Sequence, residues 1–230
     1  LGQGGTDVVV NPLTNRLYMA YSSNRSYFLR VLNSADNTWL PDVPIATTSS
    51  YSSYYVRLAI DTVLNRIYVT YSEDDTLFVL DGNSHQELAQ MSLEDIGYVA
   101  VNSNTRRLYI ETGNGVAVFD SYTLDRLGTI QGLHGPLLLC PWNKRLYGAQ
   151  YVTFQKTALH AASLATNTVV GTLLLQGYNS RMAVDPSTGR VFVTHGDPAE
   201  RRTRLRVIQD QSMTAPAPLP PLRWPCWIRR

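Results

Sequence analysis

The chain has 230 residues and a formal net charge of +2 at neutral pH, with 44% hydrophobic and 17% charged residues. That length supports a sizeable buried core. The charge is too weak to argue for nucleic acid or an anionic membrane as a partner. No stretch approaches the roughly 20 apolar residues that a membrane-spanning helix needs.

Read in chain order, the elements recur. A short apolar run ending in a polar residue comes first, as Val8-Val9-Val10-Asn11, and returns as Leu58-Ala59-Ile60-Asp61, Val99-Ala100-Val101-Asn102 and Met182-Ala183-Val184-Asp185. Continuous apolar runs of this kind suit a strand buried on both faces. A turn marked by Pro12, Pro141 or Pro186 follows. The second strand opens on Asn15-Arg16-Leu17-Tyr18, and this phrase returns as Asn65-Arg66-Ile67-Tyr68, Arg106-Arg107-Leu108-Tyr109, Lys144-Arg145-Leu146-Tyr147 and Gly189-Arg190-Val191-Phe192. The third strand appears in Phe28 to Asn33, Thr76 to Asp81 and Gly115 to Asp120. The fourth, outer strand appears in Glu87 to Met91, Arg126 to Ile130 and Val169 to Leu173. Pro41 and Pro44 fall in the outer strand of the first repeat, which suits an edge. The fifth repeat shows no outer strand, because a proline-rich run from Ala215 to Pro221 takes its place.

A repeat of about four dozen residues carrying only strand signals implies an all-β propeller of four-stranded antiparallel blades. Five repeats lie near 6–45, 56–94, 97–131, 135–176 and 180–212, and a tail rich in proline, tryptophan and arginine occupies 213–230. A closed five-bladed ring is expected, because closure removes exposed strand edges. The alternative is a fragment of a larger propeller, since Leu1 to Gly5 is similar to the Leu175-Gln176-Gly177 stretch that ends an outer strand.

The segments Arg66-Ile67-Tyr68-Val69-Thr70 and Arg190-Val191-Phe192-Val193-Thr194, each after an apolar run ending in Asp, resemble the YVTN family of bacterial propeller repeats. The resemblance covers roughly Gly2 to Asp210. It implies a propeller, commonly of seven blades in that family, serving as a surface protein, a binding scaffold or an enzyme.

Propeller folds bind through the loops around the central channel. Those loops contribute the candidate binding residues Tyr51, Tyr54, Tyr55, Tyr27, Tyr151, His134, His195 and Arg201. The Ser/Tyr loop from Thr47 to Tyr55 combines rigid aromatic area with adaptable hydroxyls, the mixture used in antibody paratopes. Glu73-Asp74-Asp75 lacks the spacing of a calcium loop and reads as a solvated turn. The segment from His195 to Arg202 reads as a surface loop with internal ion pairs, and His85 as an exposed turn at the opposite face. No histidine pair has zincin-like spacing, so no metal or other cofactor is expected. Asn11, Asp61, Asn102 and Asp185, like Asn33, Asp81 and Asp120 after the third strand, read as turn caps. The recurrent Arg and Tyr read as blade packing, because a residue repeated in every blade cannot mark a single site. Cys140 and Cys226 are either a disulfide or two separate buried thiols. Trp224 and Trp227 in the tail are expected to dock on the propeller itself.

No nucleophile-elbow, phosphate-loop or dinucleotide motif is present. The expected function is therefore a non-catalytic propeller module in an extracytoplasmic setting: extracellular, cell-surface or periplasmic. It would bind a protein or glycan at the channel face, or self-assemble through open blade edges or the tail. The alternative is a propeller enzyme of the lyase, hydrolase or lactonase type.

Overall fold

The computed structural model describes residues 5–47, 55–153, 156–177, 181–185, 187–197 and 202–209. Within them the chain forms five antiparallel sheets, each built in sequence order from an inner to an outer strand. The first holds β1 (Gly5–Asn11), β2 (Arg16–Ser23), β3 (Ser26–Asn33), β4 (Thr38–Trp39) and β5 (Val43–Thr47). The second holds β6 (Val56–Asp61), β7 (Arg66–Tyr71), β8 (Thr76–Asp81) and β9 (Glu87–Ser92). The third holds β10 (Val99–Asn102), β11 (Arg107–Thr112), β12 (Gly115–Asp120) and β13 (Arg126–Ile130). The fourth holds β14 (Leu137–Cys140), β15 (Arg145–Thr153), β16 (Lys156–Ser163) and β17 (Thr168–Gln176). The fifth holds β18 (Arg181–Asp185), β19 (Arg190–Asp197) and β20 (Arg202–Gln209).

Both β4 and β5 pair with β3. The outer strand of the first sheet is thus broken around Pro41, where the ladder lacks an N–H. In the fifth sheet no fourth strand follows β20 among the described residues. No helix among them is long and apolar enough to cross a membrane.

The turns follow from the sequence. The residue before each repeated Arg has a positive φ: Asn15 at 53°, Asn65 at 50°, Arg106 at 51°, Lys144 at 55° and Gly189 at 66°. Asn and Gly adopt this left-handed conformation most readily, and three of the five repeats use them. The Asn11 side chain accepts the Leu13 N–H, and the Asp61 side chain accepts those of Val63 and Leu64. Asp81 does the same for Asn83 and Ser84, and Asp120 for Tyr122 and Thr123. The recurrent Asn and Asp are turn caps, as their short polar side chains favour.

Four apolar clusters lie between successive sheets. Tyr18, Leu29 and Val31 of the first sheet pack on Leu58, Ile67 and Val69 of the second. Tyr68, Leu77 and Val79 then meet Val99, Leu108 and Ile110 of the third. Tyr109, Val116 and Val118 meet Leu146 of the fourth, and Tyr147 and Leu159 meet Val191 and Val193 of the fifth. Each fully buried aliphatic side chain stabilises the stack by about 1.5–3 kcal/mol. No such cluster joins the fifth sheet to the first among the described residues, so the closed ring expected from sequence is not seen there.

The repeated phrase adds polar ties to this packing. The Tyr18 hydroxyl and an Arg16 N–H of the first sheet both donate to the Gly82 carbonyl of the second, at 3.0 and 2.6 Å. One sheet on, Tyr68 and Arg66 both donate to the Ser121 carbonyl of the third, at 2.6 and 3.3 Å. Gly82 and Ser121 occupy the same repeat position, directly after the third strand. The Arg-x-Tyr phrase therefore clamps these sheets to their successors. His85 belongs to this contact rather than to a free turn. It lies edge-on to Tyr18 with ring centres 6.0 Å apart, and burial beside Arg16 lowers its pKa.

Candidate functional site

The inner strands converge where they begin. Asp7, Arg57, Tyr98, Pro136 and Arg181 hold one repeat position, four residues before Asn11, Asp61, Asn102, Cys140 and Asp185. Together with Leu58, Val99, Leu137 and Met182 they line a cleft of about 310 Å³, whose mouth lies where the five inner strands begin. One residue per sheet supplies the rim, and its type varies: two arginines, an aspartate, a tyrosine and a proline. A repeat scaffold thus presents a non-repeating surface.

Arg57 dominates this surface. Its guanidinium lies 4.9 Å from the Tyr55 ring centre and 4.7 Å from that of Tyr98, and it reaches the Tyr98 hydroxyl at 3.4 Å. Contact with two rings restrains the charged fork, and its Nη1 also donates to the Val56 carbonyl at 3.3 Å. Arg181 adds a second, exposed guanidinium. Asp7 supplies the one carboxylate of the rim, and its oxygens accept the backbone N–H groups of Val8 and Leu58, both at 2.9 Å. The mouth is therefore cationic, with geometry suited to a carboxylate or sulfate group.

Beside the mouth, Glu111 braces the backbone. It accepts the N–H groups of Tyr98 and Gly135, and the His134 Nδ1 lies 3.9 Å from its Oε1. Both Glu111 oxygens hold backbone donors, which makes this carboxylate a structural strut for the rim.

The residues expected from sequence scatter. Tyr55 and His134 do lie near the mouth. Tyr27 does not present a contact surface: it is buried, its ring packed 5.2 Å from that of Tyr71. Tyr151 is exposed on β15 and is not among the cleft-lining residues. His195 is not in a surface loop. It is buried within β19, and its Nδ1 pairs with the Gln176 carbonyl. Hairpin strands take up four of that expected loop's eight residues, His195 to Asp197 and Arg202. Tyr51, Tyr54 and Arg201 lie outside the described residues. So do Cys226, which leaves the expected pairing with buried Cys140 untested, and the tryptophans of the tail.

The Glu73 to Asp75 turn is tied up internally: Glu73 accepts the Tyr71 hydroxyl and Asp75 accepts the Ile96 N–H. Among the described residues no group of three or more His, Cys, Asp or Glu side chains could hold a metal ion. Sequence reasoning missed Arg57, Tyr98 and Arg181, although aligning the starts of the inner runs exposes the one rim position where the repeats diverge.

No protein-family model and no curated protein matches the chain, so the likeness to YVTN repeats has no support from a model match. Solved structures do match, and they define the class as a β-propeller. A hydrazine synthase chain of Kuenenia stuttgartiensis superposes with a TM-score of 0.77 at 17% identity, over 91% of this chain and 64% of that one. A chain from a nidogen/laminin complex gives 0.57 at 14% identity, over 93% and 82%. The glutaminyl cyclase of Myxococcus xanthus gives 0.52 at 16% identity, over 89% and 91%. The chain thus spans just under two thirds of the hydrazine synthase chain. These identities speak for the fold alone, and the fold serves binding assemblies and enzymes alike.

Proposed function

We propose that this propeller is a non-catalytic, extracytoplasmic binding module that grips an acidic group of a protein or glycan at its channel mouth. The single observation behind this reading is Arg57, held between Tyr55 and Tyr98, with Arg181 on the same cleft, at a rim position whose residue type varies between sheets. Aromatic faces suit sugar rings and peptide side chains, and stacked guanidiniums suit carboxylates or sulfates. The test uses immobilised chain with two probes, a sulfated oligosaccharide and a polyglutamate peptide. Binding that weakens with salt and with replacement of Arg57 or Arg181 supports the reading. Binding that ignores both replacements, or no binding to either probe at low salt, contradicts it.

A further inference from the structure

The two end sheets expose surfaces that the sheets between them bury wholly or in part. Val8 of β1 is 55% exposed, whereas Leu58 and Val99, its counterparts in the next two sheets, are 4% and 9% exposed because each packs on the sheet before it. Val10 is exposed on the same face. At the other end, Val207 of β20 is 53% exposed, while its counterpart Val79 is 1% exposed beneath the sheet that follows it. Leu205 is exposed beside it, where its counterparts Leu29, Leu77 and Val116 are fully buried.

The polar clamp is split in the same way. Arg190 and Phe192 occupy the donor position, and no partner of the Arg190 guanidinium is found among the described residues. Ser34 follows the third strand of the first sheet, as Gly82 and Ser121 do in theirs. It bonds back to Asn15, as Gly82 does to Asn65, and among the described residues its carbonyl accepts no Arg or Tyr donor. One end of the arc carries the donor half of a sheet-to-sheet interface and the other end carries the acceptor half.

We infer that these two end faces are seats for further blades of the same repeat, joined in line with the five described, and that such blades complete the ring. The interface they would make is the one seen between the first and second and the second and third sheets: apolar inner-strand contacts plus Arg and Tyr donors on the carbonyl after a third strand. Whole-arc shape favours this occupant over a second copy. The chain superposes better on part of a longer propeller than on one of its own length. The unmatched remainder of that longer chain is smaller than the matched part, too small for a second five-sheet arc.

Thiol labelling tests this. In a Cys226→Ser background, Val8→Cys is exposed to a maleimide in the 230-residue chain and in a chain extended at its N-terminus by a second copy of residues 56–134. Leu58→Cys serves as the buried control, and far-UV circular dichroism confirms folding. The expected result is rapid labelling of position 8 in the 230-residue chain, at least roughly tenfold slower labelling in the extended chain, and slow labelling of position 58 in both. Slow labelling of position 8 in the 230-residue chain overturns the inference. A monomeric mass would then mean that the arc shuts on itself, and a dimeric mass that a second copy covers the face. Equally rapid labelling in the extended chain overturns it as well, because a blade of the right repeat would then have failed to seat.

Discussion

The Tyr68 hydroxyl of the second sheet donates a 2.6 Å hydrogen bond to the Ser121 carbonyl of the third. Asp61, at the end of the same sheet's inner strand, accepts the Ser121 hydroxyl at 3.1 Å. With Arg66, which donates to the same carbonyl at 3.3 Å, three side chains of the preceding sheet hold a single turn residue. Tyr68→Phe keeps the packed ring and removes only the hydroxyl. It is expected to cost about 1 kcal/mol, or about 2–4 °C in melting temperature for a chain of this size. Tyr68→Ala also empties the ring's place in the core and is expected to cost about 3–5 kcal/mol. Thermal unfolding followed by circular dichroism measures both. A Phe variant as stable as the parent would show that the bond adds nothing beyond packing.

Acid should loosen the first sheet. Arg30 donates through Nε and Nη2 to Asp42, both at 2.8 Å, and Tyr21 adds its hydroxyl. The Arg30 hydrogen bonds hold the Asp42 carboxyl down at about 2, against 3.8 for the free group. The folded state thus keeps this charge where the unfolded chain has already taken a proton. The resulting stability is complete above about pH 5 and is lost as the pH falls towards 2. Asp81, Asp120 and Asp185 are lowered too, the first two mainly by backbone N–H groups of Ser84 and Thr123, the third mainly by the Ser187 hydroxyl. Melting temperature should therefore fall between pH 5 and pH 2, less steeply in an Asp42→Asn variant. Equal slopes in parent and variant would contradict this.

Alkali acts on the tyrosines between the sheets. Burial pushes the Tyr68 and Tyr109 phenols up to about 12, from 10.0. Above pH 10 the unfolded chain loses these protons first, so stability is complete below that pH and lost as the pH rises towards 12. Tyrosinate absorbance should show a fraction of the phenols ionising only together with unfolding. Full ionisation of every tyrosine before the circular dichroism changes would contradict burial of these rings.

The channel mouth makes a separate prediction. Arg57→Ala and Arg181→Ala should each weaken binding of the acidic probe about tenfold, the loss expected for one charge-assisted contact. Melting temperatures should stay within about 2 °C of the parent, because Arg57 and Arg181 lie outside the apolar clusters between sheets. Titration calorimetry at two salt concentrations checks the first point and thermal unfolding the second.

Much of the fold could be read from the repeats. Strand order, the turn caps at Asn11, Asp61, Asp81 and Asp120 and the broken outer strand at Pro41 all follow from local chemistry that a sequence displays. The site was less legible. Tyr27 looked like a loop aromatic, yet the β2–β3 hairpin extends to Ser23 and Ser26 and turns its ring onto Tyr71 of the next sheet. His195 looked like a loop imidazole until β19 proved to run on to Asp197. Strand length beyond the repeat core depends on hairpin pairing, which the spacing of the repeats does not encode. Arg57 was hidden for the opposite reason: it begins a strand that reads as scaffold.

The account rests on the repeated Arg-x-Tyr phrase being a clamp from one sheet to the next, which leaves recognition to the positions where the repeats differ. Melting temperatures of Arg16→Ala, Arg66→Ala and Arg190→Ala test this most directly. The same repeat residue is changed three times, with a carbonyl partner across the sheet boundary for Arg16 and Arg66 and none among the described residues for Arg190. The clamp predicts a loss of about 2–4 °C for each of the first two and no measurable change for the third. Equal losses at all three positions would mean that the arginine stabilises its own sheet, and would contradict the clamp.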